Sequence, residues 1–305
     1  MDKMIQGIIA EIVEEGQLIP RLPVTQLDGK SLLYNREGTL PTGSFYDIGE
    51  DIPAQAQATV TQASATLKRC IGQWDLDNFI VDTYRDPNDI RAQAISMARK
   101  GAMRTVEDRL IYGDATSVPK EFNGIHKLVA TAQKLAMTSG ATGAALTLDK
   151  LDQLIDLVKP IPNLLVMNFT VFRRLQAVGR GIIGQWPVVG QIGQPGTDPA
   201  KVFSEYRGIP IVRSDYLTQT ETISSGVYSA KTGGATSSIL ALRIGAIEEG
   251  GVSLVTGSPM FDMEEIVLED KDANRIRVKW YVTLANGSTK SIATLNGIID
   301  AAVAA

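Results

Sequence analysis

The sequence has little of what catalytic and disulfide-bonded proteins use. Among 305 residues there is one cysteine, Cys70, and one histidine, His126. A single cysteine excludes an internal disulfide, so Cys70 is predicted to pack as a small apolar side chain. A triad or a zinc site would require His126 to meet a serine or Cys70, and no spacing in the sequence indicates such a meeting. We therefore predict a structural histidine and no metal site.

Basic charge and long apolar runs are also scarce. Thirty lysines and arginines face thirty-four acidic residues, a formal charge of −4, which argues against broad electrostatic binding to nucleic acid. No uncharged apolar run reaches the roughly 18 residues that a membrane span needs. Glu11, Glu14 and Glu15 interrupt the apolar core that an export signal requires, so we expect no export signal and no membrane association.

Two patterns resemble ligand sites, but their context differs from that of real ones. Gly179, Gly181 and Gly184 have the spacing of a dinucleotide-binding loop, with Glu205 in the place of the ribose-binding acid. A true fingerprint follows a strand and opens a helix, whereas this one follows a helix predicted to end at Gly179, so we predict a flexible loop and no cofactor. The acidic run 262–272 lacks the spacing of a calcium loop and is interpreted as a solvated charged surface.

What the sequence does contain is a series of structural segments. Between Ser31 and Asp75, β-forming residues alternate with polar ones and are broken by Gly and Pro, which predicts an extended hairpin that buries little of its own surface. Pro87 at a first helical position and Gly113 as a stop predict a long helix over 87–112. Its small residues, Gly101 among them, predict a close-packed neighbour.

The rest of the chain alternates between helices and strands. "LDKLDQLIDLVK" follows the helix-capping Thr147, "NLLVMN" is typical of a buried strand, and "TVFRRLQAV" is typical of a helix. "YRGIPIVRSDYL", "SSILALRIGAI" and "GVSLVTG" predict further strands, the first with a Gly-Ile-Pro turn. The last part alternates strongly, and Asn286-Gly287 predicts a hairpin turn between two strands.

This ordered series resembles the major capsid proteins of tailed phages, which have the Hong Kong 97-type fold. The resemblance rests on "DNFIVDTYRDPNDIRAQAISMARKGAMRTVEDRLIYGDATSVPKEFNGI", followed in order by "LTLDKLDQLIDLV", "NLLVMNFTVFRRLQ", "YRGIPIVRSDYL" and a β-rich end, over roughly residues 25–298. It implies an α+β fold with an N-terminal arm, an extended β-hairpin arm (E-loop), a peripheral domain with a long spine helix, and an axial α/β domain. The boundaries that it implies are 1–30, 31–75, 76–126, 127–250 and 251–305, the last returning to the peripheral domain.

The resemblance also implies a function. The chain is expected to be a structural protein, not an enzyme, that assembles as pentamers and hexamers into an icosahedral shell around double-stranded DNA. Expected partners are a portal and separate scaffolding or decoration proteins, with the virion as final location and the host cytoplasm as the site of assembly. Covalent cross-linking is not expected, because Lys30 and Lys68 lie at the base of the arm rather than at its tip.

Two other functions are compatible with parts of the sequence. The same fold could form a nanocompartment shell around a cargo enzyme, or the Gly179 loop could belong to a nucleotide-dependent α/β enzyme. For the shell, we predict contacts between subunits at the following residues: Arg36, Tyr46, Asp47, Glu50, Asp51, Gly101, Arg180 and Trp186.

Overall fold

The fold was analysed in a computed structural model that describes residues 18–52, 57–79, 90–183, 205–258 and 260–303. The described residues form four helices: α1 (Ile90–Tyr112), α2 (Ile125–Leu128), α3 (Leu148–Leu157) and α4 (Phe169–Ile183). They also form fifteen strands: β1 (Val24–Leu27), β2 (Ser31–Glu37), β3 (Val60–Thr66), β4 (Lys68–Asp77), β5 (Lys134–Ala136), β6 (Leu164–Met167), β7 (Glu205–Tyr206), β8 (Ile209–Arg213), β9 (Thr222–Ser224), β10 (Val227–Ala230), β11 (Ser237–Leu242), β12 (Val252–Gly257), β13 (Asp262–Val267), β14 (Ala273–Asn286) and β15 (Ile292–Ile298).

Two sheets organise these strands. In the five-stranded sheet, the long strand β14 pairs with β4 along one edge and with β12 and β13 along the other, and β1 adds in parallel to β12. The six-stranded sheet has the order β5-β15-β11-β6-β8-β7. Its β6–α4–β8 segment is a parallel crossover unit, as the predicted alternation of helix and strand indicates.

Helix α1 packs on one face of the five-stranded sheet because its apolar residues recur every four positions. Ala98, Ala102, Val106 and Leu110 are all buried, and they share one core with Trp280 on β14. The same core includes one face of the six-stranded sheet. The other face of that sheet is covered by α3 and α4, whose buried side chains form a second core. The predicted cap of α3 is confirmed, since the Thr147 side chain accepts a hydrogen bond from the Lys150 amide.

Several boundaries differ from those expected from the sequence. The hairpin arm comprises β2 and β3 only, because β4, assigned to the arm up to Asp75, pairs with β14 over ten residues. Strand β1, assigned to an extended N-terminal arm, lies in the five-stranded sheet. Helix α4 continues past Gly179 to Ile183. The turn before β8 is formed by Arg207 and Gly208, which both have positive φ, rather than by Gly-Ile-Pro.

The largest difference concerns the C-terminal segment. Residues 251–305 were expected to return as one piece to the peripheral domain, with a hairpin at Asn286-Gly287. In the described sheets, β14 pairs with β4, β12 and β13, whereas β15 pairs with β5 and β11 in the six-stranded sheet. Both edges of β14 are already occupied, so the chain after Asn286 crosses to the other sheet. Ser291 Oγ stabilises this crossing by donating to Asn286 Oδ1 at 2.5 Å.

A buried carboxyl group anchors the start of the described chain to α1. Glu107 Oε1 accepts hydrogen bonds from the backbone amides of Leu18 at 3.0 Å and Ile19 at 3.5 Å. Glu107 is only 6% exposed, and this burial raises the pKa of its carboxyl group above the ordinary value of 4.5, although the two amide hydrogen bonds act in the opposite direction. The protonated form of Glu107 is therefore favoured in the folded state.

This shift predicts how a Glu107→Gln variant depends on pH. A carboxyl group with a raised folded pKa contributes stability below its unfolded pKa, and that contribution is lost as the pH rises through the folded value. The introduced glutamine keeps an acceptor for the Leu18 amide without burying a charge. We expect the melting temperature of the variant, measured on dissociated subunits, to gain on that of the parent as the pH rises above about 4.5, the ordinary value of the carboxyl group. A constant difference between acidic and neutral pH would contradict a raised pKa.

Candidate inter-subunit surface

The hairpin arm has a base that is fixed to the rest of the subunit. Strands β2 and β3 form seven residue pairs. At the base, the hydroxyl group of Tyr34 donates to the Asn286 carbonyl oxygen at 2.8 Å, and the guanidinium group of Arg36 donates to the same oxygen. Ala65 packs against Val255 and Ala285. Arg36, predicted to contact a neighbouring subunit, is thus used within its own subunit to hold the arm.

Beyond this ladder, the arm ends in a tight turn that its own carboxylates shape. The Glu50 amide donates to the Asp47 carbonyl oxygen at 3.2 Å, and Gly49 between them has φ of 85°, which is accessible to glycine without strain. The Glu50 side chain accepts from the Asp47 amide at 2.9 Å, and the Asp47 side chain accepts from the Ile48 amide at 2.8 Å. Two predicted contact residues, Asp47 and Glu50, therefore stabilise the turn itself.

The arm exposes large apolar side chains that sequence reasoning did not select. Phe45 and Ile48 at the turn are 105% and 102% exposed. Four more apolar residues of the arm are mostly exposed: Leu33, Leu40, Ile52 and Val60. Apolar patches of this kind mark surfaces that bind another molecule. The available signal was the presence of large apolar residues in a segment broken by Gly and Pro, where no core of its own can form.

The other predicted contact residues lie in different environments. Tyr46 is half-buried and Asp51 is exposed, both in the distal part of the arm. Arg180 lies in α4, at a position where the structure describes only the backbone. Trp186 lies outside the described residues. The structure thus brings four of the predicted residues, 46, 47, 50 and 51, together at one end of the arm.

Gly101 does not have a close-packed neighbour within the subunit. It is exposed on α1, and a Cβ atom placed on it would meet no atom within 4 Å. The close approach occurs instead at Gly72 of β4, where an added Cβ would lie 2.7 Å from the carbonyl oxygen of Ala98 and 3.6 Å from the Cβ of Ala102. The absent side chain that lets α1 lie on the sheet is therefore on the strand rather than on the helix.

This difference predicts opposite results for two substitutions. Gly72→Val should lower the free energy of unfolding of the subunit by about 1–3 kcal/mol, because the new side chain overlaps the α1 backbone. Gly101→Leu should leave that free energy unchanged, so any loss of assembly in this variant would arise between subunits. Chemical denaturation of dissociated subunits measures the first effect and sedimentation the second. Equal destabilisation by both variants would contradict the packing of α1.

His126 lies in a buried polar cluster that connects the end of α1 to the six-stranded sheet. Its ring stacks between Tyr112 and Tyr228, with centroids 5.4 and 4.1 Å away. Tyr112 donates to Glu221 Oε1 at 2.5 Å, and Ser238 Oγ lies 3.1 Å from the same oxygen. Burial, followed by the charge of Glu221, raises the pKa of Tyr112 far above its ordinary value. The tyrosine therefore acts as a neutral hydrogen-bond donor.

The cluster does bring His126 to a serine, contrary to the sequence-based expectation, but not in a catalytic arrangement. Ser238 Oγ is 3.2 Å from His126 Nε2, and Glu221 Oε1 is 3.7 Å from this same nitrogen. In a triad, the carboxylate orients the other ring nitrogen and the serine is open to a substrate. Here Ser238 and Glu221 are both fully buried. The geometry supports the structural role predicted for His126.

Charged residues on the outer face of the five-stranded sheet are paired across strands. Arg275 forms a two-point contact with Asp75, at 2.5 and 2.8 Å, and Lys279 lies 2.5 Å from Glu264. The hydrogen bond from Arg275 lowers the pKa of Asp75, and that from Lys279 lowers the pKa of Glu264. Part of the acidic run 262–272 is therefore engaged in ion pairs. Within the described part of the chain, no three His, Cys, Asp or Glu side chains group as metal ligands.

The dinucleotide-like pattern and the membrane question can be examined in the described helices. Gly179 and Gly181 lie inside α4 rather than in a loop between a strand and a helix, so their backbone amides are not arranged as in a phosphate-binding turn. Gly184 and the loop predicted after it lie outside the described residues. None of the described helices combines the length and the apolar character that crossing a bilayer requires.

Sequence comparison and structural comparison give different amounts of information. No protein-family model matches the sequence, and no curated protein matches it either. The structure of the SrpI encapsulin complex from Synechococcus elongatus PCC 7942 is similar, with a TM-score of 0.71 and 17% identity over 100% of this chain and 95% of that one. The capsid of a native GTA particle has a TM-score of 0.68 and 14% identity over 98% and 95%.

A phage capsid is similar to the same degree. The capsid of cyanophage A-1(L) has a TM-score of 0.65 and 13% identity over 98% of this chain and 97% of that one. All three similarities extend over almost the whole of both chains, so they concern the entire arrangement of arm, helix and two sheets. At such low identities, they show the fold alone.

Proposed function

We propose that this chain, which has the Hong Kong 97-type fold, is a structural subunit that assembles with copies of itself into a closed shell. The observation that carries the proposal is the arm. Its distal part extends from the subunit with Phe45 and Ile48 fully exposed, although its base is fixed by Tyr34 and Arg36. Such a surface is stabilised when it lies on a neighbouring copy. The similar structures come from shells, and no catalytic role is assigned to the chain.

For the contents of the shell we propose double-stranded DNA, so that the chain would be the major capsid protein of a tailed phage. Similarity to the cyanophage A-1(L) capsid supports this proposal. The subunits would form pentamers and hexamers of an icosahedral head, with a portal and separate scaffolding or decoration proteins as partners. The protein would be made and assembled in the host cytoplasm and finally located in the virion. Contacts to DNA would not be sequence-specific, in keeping with the formal charge of −4.

A nanocompartment shell is the second candidate. The similarity to the SrpI encapsulin complex, which covers the full length of this chain, favours it. Both candidates require the same contacts between subunits and differ only in the enclosed material, so the fold supports them equally. The third candidate, a nucleotide-dependent enzyme, loses its support because Gly179 and Gly181 lie inside α4.

Electron microscopy of the purified protein tests the common part of the proposal. Closed particles of uniform diameter are the expected result, and a protein that stays monomeric under all assembly conditions would refute it. The contents of particles isolated from the native source then distinguish the two candidates. Nuclease-protected double-stranded DNA supports the phage head, whereas a stoichiometric enclosed enzyme without DNA supports the nanocompartment.

A further inference from the structure

The arm carries charge of one sign only. From Glu37 to Leu67 the sequence contains four acidic residues and neither lysine nor arginine. Three of the four, Asp47, Glu50 and Asp51, lie at or next to the turn that exposes Phe45 and Ile48. The end of the arm, residues 44–52, is therefore an apolar surface surrounded by carboxylates. We call this segment the arm tip. A surface that receives it should combine an apolar floor with a basic rim.

A cleft with this combination lies beside the base of the arm. It has a volume of about 170 Å³ and opens between the start of β4, the last turns of α1 and the loop before α2. Its floor includes Val106, Phe122 and Val282. Four basic residues line it, accompanied by a single acidic one: Lys68, Arg69, Arg109 and Lys120, with Glu121. We call this site the basic cleft.

The basic cleft has more positive charge than its own subunit neutralises. Arg109 Nε is paired with Glu121 Oε1 at 3.1 Å, and Lys68 Nζ donates to the carbonyl oxygen of Pro119 at 2.6 Å, which leaves its charge uncompensated. Among the described residues, neither Arg69 nor Lys120 has a carboxylate partner. Cations around an apolar floor favour an occupant that has both carboxylates and an apolar side chain.

The arm tip of the same subunit cannot be that occupant. The basic cleft adjoins the lower end of the arm at Lys68, immediately after β3. The seven residue pairs of β2 and β3, at about 3.3 Å per residue, place the turn more than ~20 Å from this end. Tyr34 and Arg36 hold the ladder against the subunit and prevent it from folding back. The occupant must therefore come from another chain.

We propose that the arm tip of one subunit docks in the basic cleft of the next, with Phe45 on the apolar floor and the tip carboxylates facing Arg69 and Lys120. Each subunit then offers one tip and one cleft, so the contact is head-to-tail and generates a ring or an open chain of subunits. This inference rests on the proposed shell function and specifies which surfaces of two copies meet. Because both surfaces are charged and lie near the solvent, high salt weakens the contact.

Directed disulfide formation tests which surfaces meet. In a Cys70→Ser background, Ser44→Cys places a thiol on the tip without changing Phe45, and Lys120→Cys places one on the rim of the cleft. Oxidation of this protein should give a ladder of covalent dimers, trimers and longer chains on a non-reducing gel. A matched control combines Ser44→Cys with Ile161→Cys, an exposed position of the loop before β6, and should give no ladder. Absence of the ladder from the Lys120→Cys protein would overturn the docking, whether or not shells form.

Charge exchange between the two surfaces provides an independent test. Asp51 is chosen because Asp47 and Glu50 shape the turn. Asp51→Lys and Lys120→Glu should each lower the assembled fraction at least about tenfold, and the double variant should recover most of it. Failure of the double variant to exceed the single variants would overturn the docking.

The two tests also distinguish this inference from the proposed function and from another occupant. Shells that form without a ladder and without charge-exchange recovery would leave the shell function intact and refute only the docking. If Asp51→Lys assembles normally while Lys120→Glu particles lose their enclosed nucleic acid, the cleft binds a phosphate backbone instead, and the proposal is overturned.

Discussion

Removing the distal arm should yield a folded subunit that no longer forms a closed shell. The design replaces residues 40–58 by Asn-Gly, so that Thr39 and Thr59 become the residues that flank a two-residue hairpin turn. In the structure, the Thr59 amide already donates to the Thr39 carbonyl oxygen at 3.0 Å, as such a turn requires. The ladder from Ser31 to Thr66 and the contacts of Tyr34 and Arg36 are retained, so the base of the arm should not change.

The expected result follows from where the cores lie. Both large cores are built from α1, α3, α4 and the two sheets, and the deleted segment contributes no buried residue to either of them. Circular dichroism should therefore show native helix content, and the melting temperature of dissociated subunits should stay within a few degrees of that of the parent. Sedimentation should show monomers, small rings or open sheets in place of particles, because many weak contacts that act together in a closed shell are lost at once.

A less severe variant serves as a control for the deletion. Phe45→Ser with Ile48→Ser keeps the length and the acidic residues of the arm but removes its two fully exposed apolar side chains. If apolar contact stabilises the interface, this variant should also fail to assemble at low subunit concentration and recover partly at high concentration. Particles of normal size and heat resistance from the deletion variant would show that the arm is dispensable, and the account of this part of the chain would be wrong.

The elements of the fold could be predicted from the sequence because their signals are local. The four-residue spacing of Ala98, Ala102, Val106 and Leu110 and the stop at Gly113 define the main helix without any tertiary information. Sheet membership could not be predicted in the same way. The alternation in β15 is equally compatible with pairing to β14, and only the occupied edges of β14 direct β15 to the other sheet.

The candidate surface was predicted as a segment but not as individual side chains. Composition indicated an arm that buries little, and the structure confirms a hairpin that extends beyond its base. Charged residues were selected for contacts because charge is visible in a sequence. Whether Asp47 stabilises its own turn, or Arg36 its own arm, depends on atoms that come close only after folding. The exposure of Phe45 likewise depends on tertiary structure, since an aromatic residue in sequence more often predicts a core position.

Truncating Trp280 should destabilise the subunit itself rather than its assembly. The Trp280 side chain on β14 is completely buried, and its ring lies 4.7 Å from that of Phe261, in the core between α1 and the five-stranded sheet. Trp280→Ala removes the indole ring and leaves a cavity, which typically costs about 3–5 kcal/mol of the free energy of unfolding. For a chain of this size, a loss of that magnitude lowers the melting temperature by on the order of 10 °C. Differential scanning calorimetry of dissociated subunits measures it.

The next residue along the strand provides the matched control for this variant. Tyr281 points to the opposite face of the sheet and is 36% exposed, so Tyr281→Ala should change the free energy of unfolding by only about 1 kcal/mol or less. The two substitutions remove aromatic rings from adjacent positions and differ chiefly in burial. Trp280→Ala should reduce the yield of shells only in proportion to the fraction of folded subunits, in contrast to the arm deletion, which removes shells while the subunit stays folded. A Trp280→Ala subunit that melts like the Tyr281→Ala subunit would show that α1 does not form a common core with β14.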